Sequence, residues 1–165
     1  MFNIPIILAA ALVPMVVGFI WYNPKVFGTA WMKVADMNEE KMQGANMAVI
    51  FGVSYLLSVF LAAGISSIVI HQGHIYSVLM NEPGFKDPNS EVGLYISAFM
   101  ENYGDNFRSF KHGAFHGALG ALLFALPVLG INALFERKSF KYIALNTGYW
   151  IVTFALMGGI ICQFA

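Results

Sequence analysis

Four histidines are the residues of this sequence whose types and spacing best suit chemistry. His112 and His116 are four positions apart, and His71 and His74 are three positions apart. On a helix, side chains at these spacings lie one turn apart on one face, which is the arrangement of a two-histidine metal site. If the two segments form a hairpin, the four imidazoles converge. They would then suit zinc or another divalent metal that takes nitrogen and oxygen ligands.

Charged side chains continue the face of His112 and His116 toward the amino terminus. Glu101, Asp105 and Arg108 precede His112 at helical intervals. We therefore predict a helix that leads into the third span with a polar seam along one face, and Gly104 and Gly113 are its expected bending points. Either carboxylate of this seam could complete a metal site.

Two other interpretations of the histidines remain open. One is a hydrogen-bonded polar seam at the level of the lipid headgroups, without metal. The other is a haem with one histidine ligand from each helix. The sequence contains neither an HExxH motif nor a cysteine-rich metal motif, and Cys162 is its single cysteine. The sequence thus leaves the cofactor unknown, with a divalent metal as the candidate.

Composition identifies a membrane protein. Of 165 residues, 58% are hydrophobic and 11% are charged, whereas about 25% of a soluble domain is charged. The mean hydropathy is +0.67. Nine basic and nine acidic residues give a net charge of zero, so no basic patch suggests nucleic acid as a partner. The apolar residues are concentrated in four runs, each near the roughly 20 residues that cross a bilayer. These runs are residues 4–22, 46–71, 112–135 and 142–164.

The segments between the spans predict further helices. Apolar side chains from Val26 to Val34 recur at helical spacing and predict a short helix on the cytoplasmic membrane surface. The link 72–111 contains an amphipathic pattern from about Glu91 onward, which predicts a helix outside the membrane.

Together these elements predict an all-α, polytopic membrane protein that forms a single domain over residues 1–165. It has four transmembrane helices, an external amphipathic helix and a short cytoplasmic surface helix. Pro14 and Pro127 should kink the first and third spans, because proline cannot donate the helical hydrogen bond.

Basic residues predict the orientation of the chain. The first and third links carry six lysines and arginines, and the second link carries three. Because basic residues favour the cytoplasmic side, we expect both termini outside. The six are Lys25, Lys33, Lys41, Arg137, Lys138 and Lys141, and the three are Lys86, Arg108 and Lys111.

Two glycines at the start of the third span predict a close helix crossing. Gly113 and Gly117 are four positions apart, which is the spacing that lets two helix backbones approach each other. Packing within the bundle is the favoured interpretation, because four spans can cover this face internally. The alternative is contact with a second copy or a partner subunit.

Three motifs resemble a known family. They are Trp21-Tyr-Asn-Pro-Lys-Val-Phe-Gly-Thr-Ala-Trp31, His112-Gly-Ala-Phe-His-Gly and Asn146-Thr-Gly-Tyr-Trp150. In these runs the chain is similar to small four-span bacterial membrane proteins known only as a domain of unknown function. The resemblance implies four helices in the inner membrane of a bacterium, and it implies no activity. The link from Gln72 to Lys111 is longer than this family leads us to expect, which suggests an added partner-binding surface.

The leading functional hypothesis is an accessory or structural subunit of a membrane complex. The sequence has no mid-membrane carboxylate, no nucleotide-binding loop and no nucleophile motif, so an enzyme is the less favoured class. We expect the lipid bilayer as one partner. We also expect a protein partner or a second copy, bound through the transmembrane helices and the 72–111 link. The alternatives are a metal-binding protein that uses the histidines and a small channel or carrier formed by oligomerisation.

Overall fold

The computed structural model describes residues 3–165, and all regular structure in that part of the chain is helical. Four helical segments are long and apolar enough to cross a membrane, and we number them spans 1 to 4. They are Ile4–Trp21, Met47–Val69, Phe110–Phe135 and Phe140–Phe164. The chain is therefore a multi-pass membrane protein, and the predicted all-α fold with four spans is confirmed.

Successive spans run in opposite directions, so the bundle has two distinct ends. At one end, Asn3 Nδ2 donates to the Phe164 carbonyl at 3.4 Å. At the other, Trp21 Nε1 donates to the Leu145 carbonyl at 3.2 Å. We call the first the histidine end, because all four histidines lie there. The second is the tryptophan end, where Trp21 ends span 1.

Span 1 is interrupted near its middle by Pro14. It consists of α1 (Ile4–Ala10) and α2 (Val13–Trp21), and Pro14 lies in the first turn of α2. Proline has no N–H to donate to the carbonyl of Ala10, four residues earlier, so the helical ladder breaks at this point. The helix is thus interrupted at the place where Pro14 predicts a kink.

The first connection contains two short helices at the tryptophan end. The first, α3 (Gly28–Ala35), corresponds to the predicted surface helix and ends at Asp36, which has a left-handed φ of 56°. The second is α4 (Glu39–Met42). Asn38 caps α4, because its side-chain oxygen accepts the Lys41 N–H at 2.8 Å.

Span 2 is α5 (Met47–Val69), and the side chain of Asn46 caps its first turn. The helix ends because Ile70 adopts an extended conformation. Residues His71–Gly73 then form a 3₁₀ turn that leads directly into α6 (His74–Leu79). This turn places two histidines immediately beyond the end of span 2.

The predicted amphipathic helix is α7 (Glu91–Tyr103). Ser90 caps it, since its hydroxyl oxygen accepts the Gly93 N–H at 3.0 Å. Gly93 and Ile96 are buried, whereas Tyr95 is 61% exposed. One face of α7 therefore packs on the protein while the other leaves an aromatic side chain uncovered.

The predicted helix ends at Tyr103, next to the expected bending point Gly104, and the polar seam does not continue into span 3. Residues 104–109 form turns, in which Phe107 has a left-handed φ of 60°. Ser109 then starts a new helix, α8 (Phe110–Gly120), by accepting the His112 N–H on its hydroxyl oxygen at 3.3 Å. The polar seam is broken because its acidic residues precede this reversal and its histidines follow it.

Span 3 changes its helical winding before Pro127. After α8 comes a π-helical turn, Ala121–Ala125, and then α9 (Leu126–Phe135), with Pro127 in its first turn. The wider π turn accommodates the missing proline N–H, which would otherwise donate to the carbonyl of Leu123. The helix is therefore interrupted near Pro127, as predicted, and the interruption is a π-helical turn.

Span 4 is the central helix of the bundle. It is α10 (Phe140–Phe164), capped by the hydroxyl of Ser139. In its most apolar stretch 50% of the residues are buried, against 17% to 28% in the other spans. The core around it is built from small and branched side chains of several spans. They include Ala10, Ala62, Ile65, Val69, Ala121, Met157, Ile161 and Cys162.

Candidate metal centre

Three histidines from two elements meet at the histidine end. His71 opens the 3₁₀ turn after span 2, and His112 and His116 lie one turn apart on α8. The Nε2 atoms of His71 and His112 are 3.0 Å apart. One nitrogen of each ring can be chosen so that all three atoms lie within 4.8 Å of one another. We call these three residues the histidine cluster.

The spacing of the rings in the histidine cluster fits coordination of one metal ion. With Zn–N bonds of about 2.1 Å and tetrahedral angles, two ligating nitrogens lie about 3.4 Å apart and their ring centres about 5.2 Å apart. The centre of the His71 ring is 5.2 Å from that of His112 and 4.9 Å from that of His116. The His112 and His116 ring centres are 4.4 Å apart. Side-chain movements of about 1 Å would bring all three ring-centre distances to the tetrahedral value.

The cluster lies at the boundary between the bundle and its aqueous surroundings. The side chain of His71 is exposed, and those of His112 and His116 are half-buried. Partial desolvation lowers the pKa of His71, and the charges that His116, His112 and His74 would carry lower it further. The neutral imidazole, which has a free lone pair, is therefore the favoured form of His71.

Aromatic rings flank the cluster on two sides. The Phe107 ring centre is 5.2 Å from that of His112, and the Phe115 ring centre is 5.5 Å from that of His116. Phe107 has a left-handed backbone conformation in the turn before α8. These two rings therefore make apolar contacts at the edges of the cluster.

A buried glutamine fixes the turn that carries His71. The amide nitrogen of Gln72 donates to the Asn106 carbonyl at 2.6 Å and to the Tyr103 carbonyl at 3.3 Å. These bonds tie the 3₁₀ turn to the segment that leads into α8. Helical spacing does not predict this role of Gln72, although a polar side chain directly after the end of an apolar span is a usable signal.

His74 lies beside the histidine cluster but outside it. Its ring centre is 6.5 Å from that of His71, which is well beyond the tetrahedral spacing. Glu101 and Asp105 are exposed, and neither belongs to the group that could hold a metal. The structure thus brings together three of the four predicted histidines and neither of the two predicted carboxylates.

Arg108 bonds to backbone carbonyls at the end of span 4, whereas a polar seam predicts acidic side chains as its partners. Its Nε donates to the Cys162 carbonyl at 2.9 Å, and its terminal nitrogen donates to the Ala165 carbonyl. These carbonyls belong to the last turn of α10, where a positive charge interacts favourably with the helix dipole. Arg108 therefore joins the turn before α8 to the end of span 4.

Gly113 and Gly117 set the position of α8 against α10. A Cβ atom on Gly113 would collide with the Gly158 carbonyl, and one on Gly117 would collide with the Phe154 carbonyl. The two helices therefore touch backbone to backbone. His112 and His116 each precede one of these glycines, so their side chains lie about 100° around α8 from the contact with α10, on the side where His71 is found.

The tryptophan end contains a second polar cluster, centred on Asn146. Its side-chain oxygen accepts hydrogen bonds from Tyr22 Oη at 3.1 Å and from Trp31 Nε1 at 3.3 Å. Its amide nitrogen donates to the Tyr142 carbonyl at 2.8 Å. The tryptophan-rich and asparagine-containing motifs are thus two halves of one structural contact, which fastens the first connection to span 4.

Comparisons with known proteins identify a family and no activity. The family model of DUF1761, described as a protein of unknown function, matches residues 5–162, which include both the histidine cluster and the contact around Asn146. No curated protein and no solved structure matches the chain. The resemblance in the three motifs is confirmed, since the chain belongs to the DUF1761 family of proteins of unknown function.

Proposed function

We propose that this membrane protein binds a divalent metal ion, with zinc as the best candidate, through His71, His112 and His116. The observation that carries the proposal is the approach of three imidazole nitrogens within 4.8 Å. These side chains come from two separate elements, so their convergence is not a consequence of helical periodicity alone.

The chemistry of the ligands favours zinc over magnesium or calcium. Neutral imidazole nitrogens suit zinc and other late first-row metals, whereas magnesium and calcium require oxygen ligands. Three protein ligands leave one tetrahedral position for water or an added ligand. This arrangement is typical of sites that exchange or activate a ligand and differs from closed structural sites.

The proposed site faces the outside of a bacterial inner membrane. The six basic residues of the first and third links all belong to the tryptophan end, which supports a cytoplasmic position for that end. Both termini and the histidine cluster are then on the opposite, external side. A metal ion would reach the cluster from the aqueous phase there.

The proposal is tested by measuring zinc bound to the full-length protein in mild detergent, purified through a tag that contains no histidine. We expect one zinc per chain for the wild type by elemental analysis and titration. His112→Gln should abolish stoichiometric binding, because it removes a central ligand while it keeps a polar side chain of similar size. The matched control is Asn132→Ala, on the same span and far from the cluster.

Two results would contradict the metal proposal. One is a wild-type protein that takes up no zinc after reconstitution with excess metal. The other is unchanged zinc content when His71, His112 and His116 are replaced together.

A role as an accessory subunit is the second candidate. The observation in its favour is a group of uncovered apolar side chains in the second connection, outside the spans: Leu94 is 58% exposed, Tyr95 is 61% and Phe107 is 70%. Such residues mark protein or membrane contacts. Purification from native membranes in mild detergent should then yield a stoichiometric partner. Leu94→Ser with Tyr95→Ser should release that partner, and purification of a monomer alone would contradict this role.

A further inference from the structure

His74 is one turn along the chain from the histidine cluster, yet it lies just beyond the reach of a metal held there. The ring centres of His74 and His71 are 6.5 Å apart. Two imidazoles on a tetrahedral zinc have ring centres about 5.2 Å apart, and about 6.4 Å is the limit for ligands on opposite sides of the metal. His74 therefore requires a change of rotamer before it can coordinate.

The backbone at His74 is held in place on both sides. Before it, the buried side chain of Gln72 bonds to the carbonyls of Asn106 and Tyr103. After it, Ser77 Oγ donates to the His74 carbonyl at 2.9 Å. The Gln72 bonds tie the 3₁₀ turn before His74 to the segment that leads into α8, and the Ser77 bond stabilises the first turn of α6.

The His74 side chain has the freedom that a change of rotamer requires. The His74 side chain is exposed, so neighbouring atoms do not lock its rotamer. A change between staggered χ1 rotamers moves the centre of an imidazole by about 4 Å. The required approach toward His71 is smaller, about 1.3 Å by comparison with the tetrahedral spacing.

We propose that His74 is an exchangeable fourth ligand of the metal that His71, His112 and His116 hold. This proposal rests on the proposed function. When His74 rotates inward, its imidazole would replace the water on the fourth position, and four histidines would retain the metal. When it rotates outward, water or a small external ligand occupies that position. The site therefore has two forms. In the closed form four histidines hold the ion, and in the open form the fourth position is available to water or an external ligand.

The test compares wild type, His74→Ala and the control Val78→Ala, all full length in detergent and titrated with Zn²⁺. Val78 lies on the same short helix, is 76% exposed and has no ligating atom. We expect one zinc per chain in all three proteins. The Kd should rise at least about tenfold in His74→Ala only, as it does when a metal loses a supporting interaction. Added free imidazole should restore the affinity of His74→Ala, because it can occupy the vacated position.

X-ray absorption of the zinc-loaded proteins provides a direct count of ligands. We expect four imidazoles around zinc in wild type and in Val78→Ala, and three imidazoles with one oxygen in His74→Ala. Imidazole added to His74→Ala should return the count to four.

Three outcomes would overturn the role of His74. The first is a Kd for His74→Ala within twofold of wild type, with three imidazoles in both proteins. In that case the three-histidine site stands as long as wild type binds one zinc and His112→Gln does not. The second is complete loss of binding in both His74→Ala and His74→Gln, because His74 would then be an obligatory ligand. The third is absence of zinc from the wild type, which removes the proposed function as well.

Discussion

The Nε2 atoms of His71 and His112 lie 3.0 Å apart although 41 positions separate the two residues in the chain. Without metal, a single proton shared between two neutral imidazoles accounts for this distance. A bound metal would replace that proton and separate the nitrogens to about 3.4 Å. The pair is therefore close to ligand geometry before any ion arrives, so little reorganisation of the fold is needed on binding.

Zinc should stabilise the folded protein, because a ligand that binds only the native state shifts the unfolding equilibrium. At a free zinc concentration of 100 times the Kd, the free energy of unfolding should rise by about 2.7 kcal/mol. Thermal or SDS-induced unfolding of the detergent-solubilised protein measures this change. A chelator should reverse it, and His112→Gln should show no zinc-dependent change. If zinc stabilised His112→Gln as much as the wild type, the zinc would be bound at a site other than the histidine cluster.

Gly117→Leu should strongly destabilise the bundle. Any side chain at this position collides with the Phe154 carbonyl, and α8 must move away from α10 to relieve the collision. Overpacking of this kind costs about 1–3 kcal/mol, measured as the free energy of unfolding in mixed micelles. The matched control is Gly52→Leu, because a Cβ on Gly52 would have no atom within 4 Å. If both variants lost a similar free energy of unfolding, the α8–α10 contact would not explain the effect of Gly117→Leu.

Gly117 also tests whether the contact between α8 and α10 affects metal binding at the histidine cluster. His116 directly precedes Gly117, so a displaced α8 carries one imidazole away from the other two. Gly117→Ala, the smaller change, should weaken zinc binding in a protein that remains folded. Gly52→Ala should leave the Kd unchanged.

Asn146→Ala should loosen the first connection from span 4. It removes the oxygen that accepts from Tyr22 and Trp31 and leaves both donors without this partner. Loss of such part-buried partners costs about 1–3 kcal/mol, and we expect a red shift of tryptophan fluorescence as Trp31 gains contact with water. Asn132→Ala, at an exposed position of span 3, is the control and should change stability by less than about 0.5 kcal/mol. An unchanged emission spectrum in Asn146→Ala would contradict this role.

The proposed orientation predicts which engineered cysteines react from outside the cell. Val78→Cys, at the histidine end, should react with a membrane-impermeant maleimide in intact bacterial cells. Gln43→Cys, in the exposed first connection, should react only after permeabilisation. The wild type provides the blank, because its single Cys162 is fully buried. The reverse labelling pattern would invert the topology and place the metal site in the cytoplasm.

Much of the architecture was predictable from the sequence because it depends on local properties. A run of about 20 apolar residues crosses a membrane whatever surrounds it, and a cap or a proline acts on atoms within four residues. The four spans, the cap at Ser90 and the break at Pro14 all follow from such short-range effects. The one-turn spacing of His112 and His116 is equally local.

The break between α7 and α8 is larger than a bend at Gly104, and it interrupts the predicted polar seam. The intervals from Glu101 to His112 match a helix, but Ser109 can cap a new helix and Phe107 adopts a left-handed backbone. The bonds of Arg108 to the end of α10 stabilise that reversal. Helical spacing by itself does not reveal such a distant competing partner.

The sequence by itself determined the number of spans and the identity of the residues that could bind a metal. Only the tertiary structure decided that His71 joins His112 and His116 while His74 stays outside. That choice depends on the glycine crossing of α8 with α10 and on the bonds of Gln72, which join residues far apart in the chain. Spacing fixes which side chains share a helical face, whereas the packing of one helix against another fixes which faces meet.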